Sequence, residues 1–473
     1  MKERFKTFLL LSLVSISIII TQKLWMQVPS QVLGLFDKEM EASSSYVLAD
    51  MIAPNKYLLS FNSKNYTLVY DDSKYGMWSN SRKTLVEILS AKNISLKEIS
   101  NEEYLKYQER KSILFYFPEE INTYILIKAW DIKKPNSLVD AMPSIDKIYI
   151  YLGNGDPFFV FSNGEDHVAV YNNNINMETL RNEINKIDEE KDYVYYYPMR
   201  ETLETQNDIF IPYEIKDSLP EIYVENEIAL LDYKGKAELA EKFFNKNIDY
   251  IREIVESNGS SIYVYNQRVL KLNINGTIEY FHALEETVSE RNLYQSLLAA
   301  SNFISEKAGV QKGMYLAKVD KIESDNSLGY RLTFRYRIRG IPVILGNQEV
   351  GEYVQMEVFN NHVRSYKYYA RKDMNKVPSR IIEGKNMISA YDAIDKNYPL
   401  LKKWYLYDNK IENKKEDDNY VNEILSSIED ITLAYFDPCL KDKDEKLIAV
   451  WVIKFKNRLV AFDAYNGILV YER

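Results

Sequence analysis

One long apolar segment lies near the N-terminus, and the rest of the sequence contains no second segment of this kind. Residues 7–22 (TFLLLSLVSISIIITQ) carry no charged side chain. Three basic residues precede this segment, namely Lys2, Arg4 and Lys6. Lys23 and Trp25 follow it, and aromatic residues favour the membrane interface. Because basic flanks stay cytoplasmic, the pattern predicts a single-pass membrane anchor with a cytoplasmic N-terminus and an extracellular C-terminal region.

The uncharged run is shorter than the roughly 17–25 residues that a spanning helix needs. Lys23 extends the span, because its amine can reach the interface while its aliphatic stem stays in lipid. A cleaved signal peptide would instead need small residues after the apolar run. Residues 21–30 (TQKLWMQVPS) offer no such site. The sequence therefore favours an uncleaved anchor, with the cytoplasmic tail and transmembrane helix in residues 1–28.

The chain beyond residue 40 changes between helical and strand-like patterns. Apolar residues at helical spacing predict helices at residues 82–91, 102–110 and 177–187. Alternating and apolar runs predict strands, among them 113–117, 124–130 and 145–152. This mixture indicates a first extracellular α+β domain at residues 40–205.

The second half of the chain repeats one order of elements, a helix followed by strands. The first occurrence is a helix at 291–307 with strands at 314–322, 330–338 and 353–359. The second is a helix at 386–397 with strands at 431–436 and 449–456 and a hairpin at 458–471. The hairpin turns at Asn466-Gly467, a strong hairpin signal. We predict two related α+β domains, at 206–375 and 376–473, so that the whole extracellular region consists of antiparallel sheets with packed helices.

Composition excludes some classes of partner. The 473 residues carry a net charge of -9, which argues against nucleic acid as a ligand. Cys439 is the only cysteine, so an intrachain disulfide cannot form. The 39 tyrosines admit two interpretations, half-buried sheet faces or a platform on which sugars stack. We favour the sheet faces, because β propensity alone explains tyrosine-rich runs such as residues 148–152 (IYIYL).

The sequence shows no motif of a catalytic, metal or cofactor site. The three histidines, His167, His282 and His362, fall in separate predicted elements and lack the spacing of metal ligands. No local residue supplies the base or the lowered pKa that a Cys439 nucleophile would need. We therefore expect no catalytic residue, metal or cofactor. Carboxylates are plentiful, so an anchored wall hydrolase with a carboxylate pair stays a less favoured hypothesis.

Four arginines form the most distinctive charged pattern. Period-2 alternation in a strand would place them on one face. They are Arg331, Arg335, Arg337 and Arg339. This face is either a solvated surface paired with acids such as Glu357, or a docking face for an acidic protein loop or a wall polymer.

The chain as a whole resembles the YycH (WalH) family. At the N-terminus the likeness lies in residues 1–30, with their exit sequence KLWMQVP. It continues in stretches 113–127 (ILFYFPEEINTYILI), 208–212 (DIFIP), 260–280, 293–307, 330–343 (YRLTFRYRIRGIPV) and 363–371. Residues 450–471 resemble the terminal module of that family, which is also similar to its partner YycI and, loosely, to a PepSY unit.

The resemblance implies a non-enzymatic regulator of a WalK (YycG) sensor histidine kinase, which governs cell-wall metabolism in Gram-positive bacteria. The family binds the kinase and YycI through its transmembrane helix and its ectodomain. Helix association in lipid favours small or hydroxyl side chains at the contact. Two pairs at helical spacing qualify, Ser12 with Ser15 and Ser17 with Thr21. They are either contact residues or ordinary lipid-tolerant ones. A homo-oligomer is left open, and the alternative function is an extracytoplasmic cell-wall polymer-binding protein.

Overall fold

The computed structural model describes residues 48–473, except for 50, 71–73, 165, 208, 213–218, 310–312, 348, 375–385, 412–419 and 441–443. The predicted anchor lies outside this range. So do the residues proposed for it, namely Lys2, Arg4, Lys6, Ser12, Ser15, Ser17, Thr21, Lys23 and Trp25. Within the described part, no helix combines the length and the apolar character needed to cross a membrane.

The first unit is built on a nine-stranded antiparallel sheet in the order β3-β7-β6-β5-β4-β1-β2-β8-β9. Its strands are β1 (Lys56–Ser60), β2 (Tyr66–Val69), β3 (Ser95–Ile99), β4 (Ser112–Asn122), β5 (Ser144–Tyr151), β6 (Phe158–Asn163), β7 (Asp166–Tyr171), β8 (Tyr196–Pro198) and β9 (Phe210–Pro212). Its helices are α1 (Met77–Ser90), α2 (Asn101–Gln108), α3 (Thr123–Ala129), α4 (Leu138–Ala141), α5 (Glu178–Glu190) and α6 (Met199–Thr202).

This sheet is buried on both faces, which explains its continuous apolar runs. In β4, Phe115 belongs to the main core, whereas Leu114 belongs to a second core on the opposite face. Tyr104 and Tyr107 of α2 pack into that second core. The helices predicted at 82–91, 102–110 and 177–187 correspond to α1, α2 and α5.

The strand predicted at 124–130 is wrong, because this segment forms helix α3. Its β-branched and aromatic residues favour a strand locally, but the tertiary structure overrides that propensity. The helix begins where the Asn122 side chain accepts a hydrogen bond from the N–H of Ile125, at 3.3 Å. The preceding strand β4 also extends beyond the predicted Phe117 to Asn122.

The central unit is an eight-stranded antiparallel sheet in the order β11-β12-β13-β14-β20-β19-β16-β15. Its strands are β11 (Arg252–Val255), β12 (Ser261–Tyr265), β13 (Arg268–Leu272), β14 (Thr277–His282), β15 (Tyr315–Ser324), β16 (Ser327–Arg335), β19 (Val354–Phe359) and β20 (His362–Tyr369). The helices of this region are α7 (Glu227–Leu230), α8 (Tyr233–Phe244) and α9 (Leu293–Phe303), with a 3-10 turn at Ile248–Tyr250 and a π-helical turn at Ile304–Ala308. Tyr280 and Tyr366 of the sheet pack against Phe303 of α9, with ring centroids 5.3 and 5.2 Å away.

The terminal unit is a six-stranded sheet in the order β17-β18-β22-β24-β25-β26. Its strands are β17 (Arg337–Ile338), β18 (Ile341–Leu345), β22 (Ile428–Asp437), β24 (Ile448–Phe455), β25 (Arg458–Asp463) and β26 (Leu469–Glu472), with helices α10 (Ala390–Asp408) and α11 (Val421–Ser426). β18 pairs parallel with β22. The hairpin predicted at 458–471 is present as β25 and β26, with Gly467 at a φ of 73° in the connection.

Strand exchange ties the central and terminal units together. β17 and β18 come from the segment 206–375 but lie in the terminal sheet. A small sheet in the order β21-β10-β23 also joins the two units. Its strands are β10 (Tyr223–Asn226), β21 (Arg371–Asp373) and β23 (Asp444–Lys446). The sheets therefore do not follow a boundary at residue 375, although the α+β class with antiparallel sheets is confirmed.

A buried ionic cluster lies where β21, β22 and β23 meet. The Arg371 guanidinium lies 2.7 Å from the Glu445 carboxylate and 3.5 Å from that of Asp437. Arg371 and Asp437 are fully inaccessible to solvent. Burial raises the pKa of the Asp437 and Glu445 carboxyl groups, and Arg371 opposes that rise. Two carboxyl groups thus depend on one cation inside the protein.

A second buried acid, Glu227, begins helix α7. Glu227 is buried, and this burial raises the pKa of its carboxyl group to about 7. Lys372 opposes this rise, whereas Glu225 adds to it. Because the pKa in the folded state exceeds that in the unfolded state, the protonated form stabilises the fold. This contribution is complete below the unfolded pKa and is lost as the pH rises through about 7.

We predict that Arg371→Met lowers the free energy of unfolding by roughly 3–5 kcal/mol, because it leaves Asp437 and Glu445 buried without a cation. Chemical denaturation of the purified full-length chain measures this change. Lys106→Met is the control, since Lys106 pairs with Glu102 on an exposed helix surface. An Arg371→Met midpoint equal to that of the control would contradict a stabilising role for the cluster.

We also predict that Glu227→Gln reduces the pH dependence of stability. Raising the pH from 5 to 8 should lower the free energy of unfolding of the wild-type protein by about 2.5 kcal/mol more than that of the variant. Denaturant midpoints of both proteins at the two pH values measure the difference. Parallel profiles for the two proteins would show that Glu227 does not titrate in this range.

Candidate functional site

A groove of about 600 Å³ lies between the first unit and helix α9 of the central unit. We call it the junction groove. Its first wall comes from the end of β4 and from α3, its second wall from α9, and its floor from β15 and β16. The apolar residues lining it are Ile52, Ala53, Pro118, Ile121, Tyr124, Ile125, Pro143, Leu293, Tyr294, Leu297, Leu316, Val319 and Tyr330.

The first wall is held in place by the cap of α3. Besides the Asn122 cap, the Thr123 hydroxyl donates a hydrogen bond to the carbonyl oxygen of Met142, at 2.5 Å. This geometry presents Tyr124 on the outer side of the helix, where 52% of the residue is exposed. The Lys128 ammonium lies 5.3 Å from the centroid of the Tyr124 ring. The wall therefore presents an anchored aromatic side chain to solvent.

The second wall is fixed by polar contacts at the start of α9. Arg291 donates from Nε to the carbonyl oxygen of Gly329, at 3.1 Å, and from a terminal nitrogen to that of Ile322, at 2.8 Å. Asn292 caps the helix by accepting a hydrogen bond from the N–H of Gln295, at 3.0 Å. These contacts hold α9 against β15 and β16, so the groove is preformed.

Charged residues surround the apolar lining of the junction groove. Glu119 and Glu120 lie on the side of the first unit, and Arg291 and Lys321 on the side of the central unit. An apolar floor with charged rims suits the apolar face of an amphipathic protein segment.

The four predicted arginines do not share one strand face. β16 ends at Arg335, Arg337 begins β17 in the terminal sheet, and Arg339 lies in the following turn with a φ of 51°. The expected continuous strand is therefore wrong, because the chain changes sheets at Tyr336. That change separates Arg331 and Arg335 from Arg337 and Arg339.

Each of the four arginines contacts another part of this chain. Arg331 pairs with Glu357 at 2.8 Å, and Arg335 makes two hydrogen bonds to Glu352, at 3.1 and 3.2 Å. Arg337 donates to the carbonyl oxygen of Pro54 and stacks on Tyr315, 4.1 Å from the ring centroid. Arg339 lies 3.6 Å from Asp373. An acidic ligand would have to share or displace these contacts.

The tyrosines of the predicted runs are buried or half-buried. Tyr149 is fully buried in the second core of the first unit, and Tyr196 is buried in the same core. In the central sheet, Tyr366, Tyr368 and Tyr369 are also buried. These positions agree with the sheet-face interpretation. Other tyrosines, such as Tyr233, Tyr250 and Tyr407, are exposed.

The structure brings together two histidines that the sequence places apart. His282 and His362 lie on the neighbouring strands β14 and β20, with ring centroids 4.4 Å apart. His362 Nε2 lies 3.1 Å from the carbonyl oxygen of His282. Among the described residues, no group of three or more His, Cys, Asp or Glu side chains is arranged to hold a metal ion. No spacing rule could have found this pair, because it depends on long-range strand pairing.

The single cysteine is poorly suited to nucleophilic chemistry. Cys439 is buried, and burial together with the neighbouring Asp437 raises the pKa of its thiol to about 12. The thiolate, which is the reactive form, is therefore scarce near neutral pH. This agrees with the sequence argument that no local group activates the thiol.

We predict that Cys439 in the native protein resists maleimide labelling at pH 7.5, because its thiol is buried and protonated. Denaturation should expose one reactive thiol per chain, as the sequence contains one cysteine. Intact mass spectrometry before and after denaturation measures the labelled fraction. Rapid labelling of the native chain would show that Cys439 is accessible.

Comparisons with known proteins add little to this description. No protein-family model matches the chain, and no curated protein matches it. Among solved structures, that of an uncharacterized protein from Eubacterium rectale resembles part of the chain at 13% sequence identity with a TM-score of 0.35. That alignment covers 56% of this chain and 90% of the other. The functional assignment therefore rests on the residues and the geometry described above.

Proposed function

We propose that this chain is a membrane-anchored extracellular regulator of a WalK-type sensor histidine kinase. It acts by protein–protein contacts, together with a YycI-like membrane protein. The kinase contact lies in the transmembrane helix, and the partner contact lies in the junction groove of the ectodomain. The observation that carries the proposal is this preformed apolar groove between two firmly joined units.

The continuous packing of the ectodomain supports a regulatory mechanism. One cluster of buried apolar side chains runs through all the described units, from Leu48 to Ala464. Lys56 of β1 and Asp430 of β22 also form an ion pair at 2.6 Å, which joins the first and terminal units. A regulator shifts a two-state sensor only if it binds the two states with different affinity. A rigid ectodomain favours such discrimination, because its surfaces cannot adapt equally to both states.

The junction groove is lined in part by residues that follow the predicted membrane anchor closely in the sequence. Ile52 and Ala53 line the groove and lie near the beginning of the described chain. They follow the predicted anchor by about two dozen residues. A YycI-like partner anchored in the same membrane would present its own juxtamembrane segment at this end of the ectodomain. The charged rims would orient an amphipathic segment in the groove.

The topology of the last two units supports their proposed relationship. In the central unit, α9 precedes β15, β16, β19 and β20, and these strands pair with one another in chain order. In the terminal unit, α10 precedes β22, β24, β25 and β26, which also pair in chain order. A helix followed by a four-stranded meander is therefore common to both. We propose that these are related modules of the YycI/PepSY-like type.

In-membrane crosslinking of the full-length chain in its native cell tests the proposed partners. We predict recovery of a sensor kinase and a YycI-like protein. Replacing residues 7–26 with an unrelated transmembrane helix should abolish kinase capture, because it removes the proposed lipid-embedded contact. Mass spectrometry of the crosslinked species measures both results. Recovery of wall fragments alone, unchanged by the helix replacement, would instead support a cell-wall polymer-binding protein.

A second prediction tests the junction groove. Tyr124→Ala combined with Tyr294→Ala should lower recovery of the YycI-like partner about ten-fold, because buried aromatic anchors dominate binding energy. Tyr407→Ala is the matched control, since Tyr407 is 78% exposed on α10 and does not line the groove. Equal partner recovery with the double variant and the control would exclude the groove as the contact.

A further inference from the structure

One edge of the central sheet is open and partly apolar. β11 is the last strand in the sheet order, with β12 as its neighbour on one side. Ile254 and Val255 are 39% and 64% exposed. Tyr250, just before the strand, is 75% exposed. Sheet edges with exposed apolar residues are templates for pairing with another chain.

The other long edge of the same sheet lacks this character. β15 carries Lys318, Asp320, Lys321 and Glu323, and Lys318 pairs with Asp320 at 2.6 Å. Charged side chains on an edge strand discourage pairing with other chains. β11 is therefore the edge of this sheet that is better suited to accept a strand.

The main chain of β11 is oriented for such pairing. The N–H of Glu256 donates to the carbonyl oxygen of Ser260 at 2.8 Å, so the main-chain groups of Glu256 point towards β12. In an antiparallel ladder this direction alternates along the strand. The main-chain N–H and C=O groups of Glu253 and Val255 therefore point outward, where a further strand could pair with them.

The side chains of this edge are complementary to themselves. If a second β11 runs antiparallel with its Val255 opposite Glu253, the outward main-chain groups of both strands meet. In that register Ile254 lies opposite Ile254 of the second copy. Arg252 lies opposite Glu256 of the second copy, twice by symmetry. Facing pairs of opposite charge stabilise antiparallel strands.

The neighbouring registers lack this complementarity. A shift in one direction places Glu253 opposite Glu253 of the second copy, and like charges directly opposite are destabilising. A shift in the other direction places Val255 opposite Val255, but it also places Ile254 opposite Glu256 of the second copy, and both Arg252–Glu256 ion pairs are lost. In the isolated chain Glu256 contacts Lys271 at 3.0 Å, and the dimer would share this carboxylate between Lys271 and Arg252.

We propose that β11 is a self-association surface, at which a second copy of this chain adds its own β11 antiparallel in the Ile254-centred register. The two eight-stranded sheets would then form one continuous sheet across a two-fold axis. The occupant is a second copy rather than an unrelated strand because the charge pattern of β11 complements itself. This inference does not depend on the kinase or on a YycI-like partner.

Cysteine crosslinking of the purified full-length chain in lipid vesicles tests the proposal. In the predicted register the two Ile254 residues form a non-hydrogen-bonded pair, whose Cα atoms lie about 4.5 Å apart. That distance permits a disulfide. Ile254→Cys should therefore give a disulfide-linked dimer under mild oxidation, visible on non-reducing gels. We expect at least ten times more dimer than for Val255→Cys.

Val255→Cys is a stringent control, because Val255 is more exposed than Ile254 and random collisions would favour it. In the predicted register the two Val255 Cα atoms are roughly 9 Å apart, beyond the reach of a disulfide.

Adding Arg252→Glu to Ile254→Cys should lower the dimer yield about ten-fold, because it places two carboxylates opposite each other. Lys97→Glu, on the edge strand β3 of the first unit, should leave the yield unchanged.

Two results would overturn the proposal. Equal dimer yields from Ile254→Cys and Val255→Cys would indicate collision without a register. A crosslink of Ile254→Cys in native membranes to a protein of different mass, with no dimer in vesicles, would show that β11 binds another partner. Loss of kinase capture on replacing the membrane helix tests the proposed function separately, so the two failures are distinguishable.

Discussion

The fold depends on the interlocking of its central and terminal sheets. The chain leaves the central sheet after Arg335 and crosses into the terminal sheet as β17 and β18. It then returns to the central sheet as β19 and β20 and continues into β21. In β21, Arg371 lies between two buried carboxylates. The terminal sheet therefore contains two strands from the segment of the central unit, and the small sheet of β10, β21 and β23 contains strands from both segments. The contacts of Arg337 and Arg339 lie in the segment that crosses between these two sheets.

This framework explains why most of the arginines in the charged pattern make contacts that stabilise the fold. Arg337 and Arg339 are not neighbours of Arg331 on one surface; they hold the crossing segment to Pro54 and Asp373. Arg335 binds Glu352 close to the junction of all three units. Guanidinium groups suit such positions, because one planar group can satisfy several acceptors at once. Arginines that the sequence suggested as a ligand-binding surface thus connect parts of the protein to one another.

The sequence predicted those features that depend on local pattern. The helices α1, α2, α5 and α9 and the hairpin at Asn466-Gly467 follow from periodicity and turn chemistry. Helix α3 was missed because its residues favour strands, although Asn122 at its start is a typical helix cap. The crossing at Tyr336 and the pairing of His282 with His362 could not be predicted from the sequence, because both depend on the order of strands in the sheets. The junction groove was missed for the same reason, as its two walls are about 170 residues apart in the chain.

The parallel pairing of β18 with β22 affects how the chain folds during its synthesis. Val343 of β18 lies opposite Tyr435 of β22, so these partners are separated by about 90 residues. Such non-local pairing is slow to form, because the chain loses the entropy of closing a long loop before any stabilising contact between the strands forms. During synthesis, the apolar strand β18 is made well before β22. The chain therefore passes through a stage in which β18 has been made and its partner strand β22 has not.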